Sequence, residues 1–171
     1  MANIELLTAA NFSEKSLDSY LRKHEVKKVY RKSDSGYVLV EQPYIEDWDF
    51  KTRREIARKI SSPDYITYVA VENEEIVGFI GLKKQLIGKR MILDMMHVSA
   101  VLRRKGLGCS LFEKGKTEAK KAGAEELYIS ACSSEETIAF YRAMGAKITD
   151  NPIKEMAEEE PFDLQMTCRM D

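Results

Sequence analysis

The chain has 171 residues, 44% of them hydrophobic, with 27 Lys and Arg against 28 Asp and Glu. That length and apolar content suit one folded domain spanning 1–171 and exclude a disordered chain. The net charge of −1 supplies no global field to argue for nucleic acid, so any electrostatic recognition must be local.

The N-terminal stretch MANIELLTAANFSEKSL lacks a basic start followed by an apolar run, so no secretory signal is expected. Residues 4–7 read as a short strand. Ser13, or Ser16, is placed to cap a helix through Leu17, Tyr20 and Leu21 towards His24. Two alternating runs follow, 26–31 and 37–41, around a Ser-Asp-Ser-Gly turn. Asp49 or Thr52 then opens a helix through Ile56, Ala57 and Ile60, which Ser62 and Pro63 stop.

Three strands come next, at 65–71, 76–82 and 91–98, the first two joined as a hairpin through 72–75. The longest apolar stretches, such as 76–82, are far too short to cross a bilayer, so no membrane partner is expected. The period then changes. Leu107, Leu111, Phe112, Gly115, Ala119 and Ala122 recur at helical spacing before a stop at Gly123. Residues 127–131 form a buried-type strand, and Ser133 or Ser134 caps a helix through Ile138, Phe140, Tyr141 and Met144 to Gly145. Two closing strands, 146–149 and 162–170, flank an acidic loop. The order predicts a mixed α/β domain. Cys109, Cys132 and Cys168 are odd in number and widely spaced, which fits neither a disulfide framework nor a zinc site and points to a reducing cytoplasm.

The stretch RRKGLGCSLFEKGKT, residues 103–117, carries three phosphate-like features. A nucleotide loop needs glycine five residues before Gly115, where Ser110 stands, so Lys116 and Thr117 read as a solvated helix face. A dinucleotide fingerprint needs glycine at 111, where Leu111 stands. The third reading is a turn from a strand into the N-terminus of a helix. There, glycines let a ligand approach the backbone, and the first N–H groups, lacking internal partners, favour an anion beside Arg and Lys. An ordinary tight turn with a solvated basic patch would carry the same residues.

Arg103-x-x-Gly106-x-Gly108 resembles the acetyl-CoA loop of the GNAT superfamily of N-acetyltransferases. The strand LDMMHV ends five residues before it, and SEETIAFYRAMGA, residues 134–146, is similar to the family's Asn-x-x-Ala-x-x-x-Tyr-x-x-x-Gly-Phe segment. The likeness spans roughly 65–150. It implies a central mixed, mostly antiparallel sheet of about six to seven strands flanked by about four helices, with a splayed parallel pair as the cofactor cleft. It also implies acetyl transfer from acetyl-CoA to a primary amine by direct attack in a ternary complex, without a metal. Arg103, Arg104, Lys105, Gly106, Leu107, Gly108 and Cys109 would hold the pyrophosphate. Val98 would pair with the cofactor arm, as would Ser134, whose hydroxyl is shorter than the family's Asn. Tyr141 would protonate the leaving thiolate.

Asp94, among Ile92, Leu93, Met95 and Met96, is the candidate base, with His97 as competitor. Strand parity allows only one of the two to face the cleft. Pro43–Asp49 and Glu158, Glu159 and Glu160 suggest an acidic, aromatic wall for a small cationic amine or antibiotic, although charge runs are also ordinary solvated surface. A protein or peptide N-acetyltransferase is an alternative. So is a silent acetyl-CoA sensor, which would need neither Tyr141 nor Asp94. Edge strands near the C-terminus leave room for a homodimer.

Overall fold

A computed structural model describes residues 1–170. The chain runs β1 (Asn3–Leu6), β2 (His24–Ser33), β3 (Gly36–Glu46), α1 (Phe50–Ile60), β4 (Tyr65–Glu72), β5 (Glu75–Lys83) and β6 (Arg90–Val98). It continues through α2 (Leu107–Lys121), β7 (Glu126–Ala131), α3 (Glu135–Ala143), β8 (Lys147–Ile148), α4 (Lys154–Glu159) and β9 (Leu164–Arg169). Seven strands form one sheet in the order β1-β4-β5-β6-β7-β9-β8, and β2 and β3 form a separate ribbon. Among the described residues no helix is long and apolar enough to cross a membrane.

The sheet has a core on each face. On one, α2 buries Leu111, Phe112, Gly115 and Ala119, a stripe at helical spacing, against strands β4 to β7. Gly115 is there for contact: a Cβ at that position would lie 2.6 Å from Ile80 Cδ1. The Gly-Lys-Thr of the sequence is therefore a close helix–sheet approach and no nucleotide loop. On the other face, Ala57 and Ile60 of α1 pack with Phe12, Leu17, Tyr20, Val69 and Phe79. Asp49 caps α1 by accepting from the Thr52 N–H at 2.7 Å.

The helix expected from Ser13 towards His24 does not form. Turns occupy residues 14–19, closed by bonds three residues apart from Ser16 N to Ser13 O, Asp18 N to Lys15 O and Tyr20 N to Leu17 O, each 3.0 Å. Tertiary partners take the groups a helix would use. Arg53 donates to the Asp18 carbonyl at 3.1 Å, and Arg54 binds the Asp18 carboxylate through two bonds of 2.7 and 2.8 Å. The acidic loop between the closing strands is also corrected, since it contains α4. Pro152 before α4 and Pro161 after it were the sequence signals for a short helix there. The penultimate strand shrinks to Lys147–Ile148.

Two irregularities build the site. β6 and β7 are the parallel pair, in register only from Arg90↔Glu126 to Leu93↔Ile129. Beyond Leu93 they diverge: β6 stays on β5 while β7 stays on β9 through Ala131↔Leu164. At the point of divergence β6 bulges. Leu82 pairs with Leu93 and Gly81 with Met95, leaving Asp94 as the extra residue.

Candidate active site

The divergence of β6 and β7 opens a cleft of about 1200 Å³. Its walls come from Asp94–Val98 of β6, the start of α2, Ser130–Cys132 beyond β7's parallel pairing, α3, the end of β3 and the turn before β9. A second depression of about 820 Å³, around Lys89, Arg90 and Lys147, holds none of the residues expected to act.

At one end of the cleft lies the β6–α2 turn. Arg104 (φ 64°) and Gly106 (φ 85°) adopt left-handed backbone, and a Cβ on Gly106 would meet nothing within 4 Å. The Ser110 N–H bonds the Gly106 carbonyl at 3.1 Å, so the N–H groups of Leu107, Gly108 and Cys109 precede the helical ladder and have no acceptor within it. Gly108 permits the packing of α3, since its Cβ would stand 3.3 Å from Phe140 Cε2.

Arg103 is turned inward. Its guanidinium donates to the carbonyls of Val98 (3.2 Å), Lys23 (2.7 Å) and Arg22 (2.9 Å), tying the turn to the end of β6 and the entry of β2. Arg104, Gly106, Gly108 and Cys109 line the cleft, whereas the side chain of Leu107 packs into the core and Lys105 stands exposed outside the lining. Val98 lines the cleft on the edge of β6 that β7 has left.

Tyr141 lines the cleft from α3, packed against Phe140 (ring centroids 5.3 Å apart) and Phe112 (6.1 Å). Burial raises its phenol well above the ordinary value, and its hydroxyl makes no hydrogen bond within the described protein. It is a protonated hydroxyl on a residue of the cleft wall. Ser134, by contrast, is fully buried as the α3 cap: its Oγ accepts from the Thr137 N–H (3.3 Å) and donates to Thr137 Oγ1 (2.7 Å). It does not line the cleft.

The parity expectation for β6 fails because the bulge resets the alternation, and both Asp94 and His97 border the cleft. Neither stands unengaged. Asp94 Oδ2 accepts from the Tyr65 hydroxyl at 2.6 Å and pairs with Lys59 Nζ at 3.1 Å, with Lys83 Nζ 4.0 Å from Oδ1. His97 packs edge-on to Trp48 at 4.9 Å and against Phe79 at 5.5 Å. Burial pushes its imidazole down to about 3, with the Arg22 and Arg103 charges adding to the effect.

Part of the wall is acidic. Glu46 is ion-paired with Arg22 at 2.7 Å, and its Oε1 lies 3.9 Å from the Cys132 sulfur. Burial raises the Cys132 thiol, a weak nucleophile in consequence. Of the three glutamates singled out from the sequence, only Glu160 lines the cleft; Glu158 pairs with Lys154 on the outer face of α4 at 3.8 Å. Asp163, not singled out from the sequence, lines it too. It closes the acidic stretch 156–163 that the sequence marks, and the turn after α4 and the splayed end of β7 bring it in.

An acetyltransferase (GNAT) family model matches residues 33–146. No curated protein matches the sequence significantly. Among solved structures, a nourseothricin acetyltransferase shares 17% identity over 99% of both chains, with a TM-score of 0.74. A Bacillus anthracis protein assigned as a streptothricin acetyltransferase, in complex with acetyl coenzyme A, shares 18% over 100% of this chain and 99% of its own, with a TM-score of 0.72. An aminoglycoside 6′-N-acetyltransferase complexed with coenzyme A shares 19% over 70% of this chain and 80% of its own, with a TM-score of 0.56. At these identities the likeness is one of fold.

Proposed function

This chain belongs to the GNAT acetyltransferase family and is an acetyl-CoA-dependent N-acetyltransferase, and from that premise we propose that it acetylates a primary amine of a small cationic molecule by direct attack in a ternary complex. One observation carries the reading. A single cleft is lined by an anion-favouring helix N-terminus, an open strand edge and a group of carboxylates. Tyr141 joins the helix N-terminus to the carboxylates: its neighbour Phe140 touches Gly108, and its ring lies in the field of Cys132, which Glu46 and Asp163 also reach.

Acetyl-CoA is the acyl donor. The N–H groups of residues 107–109 suit its pyrophosphate, with Arg104 and Lys105 raising the local potential and Arg103 holding the turn in shape. The backbone edge around Val98 suits the amides of the pantetheine arm. A neutral amine attacks the thioester carbonyl, the C–S bond breaks, and the Tyr141 phenol protonates the departing sulfur. An ordinary alkylammonium, with pKa about 10.4, is almost wholly protonated at neutral pH, so the acceptor arrives as a cation and acidic walls favour its entry. Asp94, occupied by Tyr65 and Lys59, is better suited to holding the bulge that opens the cleft than to taking the proton.

Structural neighbours named for streptothricin, nourseothricin and aminoglycoside acetylation support a small polycationic acceptor over a peptide. Acetyl-CoA consumption, measured against polyamines, aminoglycosides, streptothricin-type antibiotics and basic peptides, tests this. Turnover is expected on a small polycation. Acetyl-CoA binding with no turnover on any amine would leave a silent binding module instead.

A further inference from the structure

Asp163 sits in the turn between α4 and β9, opposite the end of β7 that has separated from β6. Its Oδ2 accepts from Ser130 Oγ at 2.9 Å, and Ser130 Oγ accepts from Gln165 Nε2 at 2.8 Å. Gln165 Oε1 accepts from the Tyr128 hydroxyl, whose oxygen accepts the Ile153 N–H at 2.9 Å. The direction of this chain is fixed from its far end. A backbone N–H can only donate, so the Tyr128 proton goes to Gln165, which sets the amide orientation and leaves Gln165 to donate to Ser130. Ser130 in turn gives its only proton to Asp163. Every member donates towards the cleft, and Asp163 can only accept. Its second oxygen, Oδ1, has no hydrogen-bond partner among the described residues, and no cation pairs with the carboxylate.

We propose that Asp163 is the catalytic base, its Oδ1 taking the proton from the acceptor nitrogen as that nitrogen bonds to the acetyl carbon. The proposal rests on the acetyltransferase reading above. The step balances. The acceptor, entering as an ammonium, first releases one proton to solvent. Its lone pair then forms the C–N bond, the nitrogen gives a second proton to Asp163, the C–S bond breaks, and the sulfur takes the Tyr141 proton. Solvent then removes the proton from Asp163 and restores that of Tyr141. Ser130 is a positioning residue, holding the carboxylate so that Oδ1 faces the substrate.

The surroundings give that carboxylate a useful affinity. Burial pushes Asp163 up to about 6; the Ser130 bond opposes the rise, and the charges of Glu160 and Glu46 reinforce it. The groups facing it are Ser130 and Cys132 from the end of β7, Gln165 from β9, Glu46 from β3 and Glu160 from the turn after α4. Arg31 of β2, which stacks on the adjoining Phe162 at 4.5 Å, is bonded to Ser133 and Gln42. A base must be ionised to act, so acetylation should rise as pH passes upward through about 6.

The test is the pH profile of kcat/KM for the acceptor, with acetyl-CoA affinity measured alongside by titration calorimetry. In the wild-type chain the acidic limb is expected near pH 6. Asp163→Asn should lower kcat/KM by about 10²-fold or more and abolish the limb, with the acetyl-CoA Kd within about twofold. Because the carboxyl's pKa is raised in the folded state, ionised Asp163 weakens the fold above about pH 6. Asp163→Asn should therefore melt no lower than wild type at pH 8, which separates lost chemistry from lost structure. Ser130→Ala removes a bond that favours the ionised form, so it should move the limb to higher pH. Undiminished turnover in Asp163→Asn, or a limb that Ser130→Ala leaves in place, overturns the assignment alone. A wild-type chain that binds acetyl-CoA and acetylates nothing overturns the acetyltransferase reading and this one with it.

Discussion

Tyr141 and Asp94 show how differently two side chains on one cleft can be engaged. Tyr141 is buried among Phe112 and Phe140 with its hydroxyl unclaimed, which keeps the phenol protonated and available. Asp94 is claimed by Tyr65 and Lys59. We therefore expect Tyr141→Phe to reduce kcat at least about tenfold, with the acetyl-CoA Kd changed by less than about twofold, in steady-state assays paired with calorimetry. Equal turnover would remove Tyr141 from the mechanism. At this scale the sequence located residues on the cleft where residue type and spacing sufficed, as for Gly106, Gly108 and Tyr141. It was not legible for Asp163, whose placement depends on contacts with Ser130, 33 positions away. The apolar neighbours of Asp94 predicted desolvation, but the cations that meet it come from α1 and β5.

Among the elements, those with a local stop and start were legible: α1 between Asp49 and Ser61, α2 between Gly106 and Gly123, and the β4–β5 hairpin, where Asn73 and Glu74 turn with φ of 51° and 65°. The helix expected from Ser13 had an equally good cap and an apolar stripe. It lost to Arg53, which takes the Asp18 carbonyl that a continuing helix would need. The bulge at Asp94 was hidden for the same reason, since a register shift belongs to a pair of strands and to neither alone. Ser134 was expected to touch the cofactor, yet its hydroxyl is spent on Thr137 at the start of α3. Ser134→Ala should cost about 1 kcal/mol, or about 3 °C in Tm for a chain of this size, and leave the acetyl-CoA Kd unchanged. A Kd raised tenfold at undiminished Tm would return Ser134 to the cofactor's ligands.

Taken whole, the molecule offers donor and acceptor, on the proposed reading, one continuous surface, the lining of the cleft. The sheet parts between β6 and β7, the start of α2 lines the opening, and the β2–β3 ribbon reaches the segment after β7 through Tyr30 N to Ser133 O at 2.8 Å, with Glu46 lining the cleft. The order of strands and helices around this opening was legible, because βα spacing and the Arg-x-x-Gly-x-Gly turn are local. The rest of the wall was not, because ribbon and α4 reach it only through tertiary contacts. The cleft has room for both substrates together on the proposed reading. Of the two thiols that line it, Cys109 belongs to the β6–α2 turn, while Cys132, in whose field Tyr141 lies, is held protonated by burial and by Glu46 and Asp163. Transfer should therefore go directly from thioester to amine. Two-substrate initial-rate kinetics, varying acetyl-CoA at several fixed concentrations of an acetylated amine, test this most directly. Intersecting double-reciprocal lines are predicted. Parallel lines, accompanied by an acetyl group retained on Cys132, would contradict it.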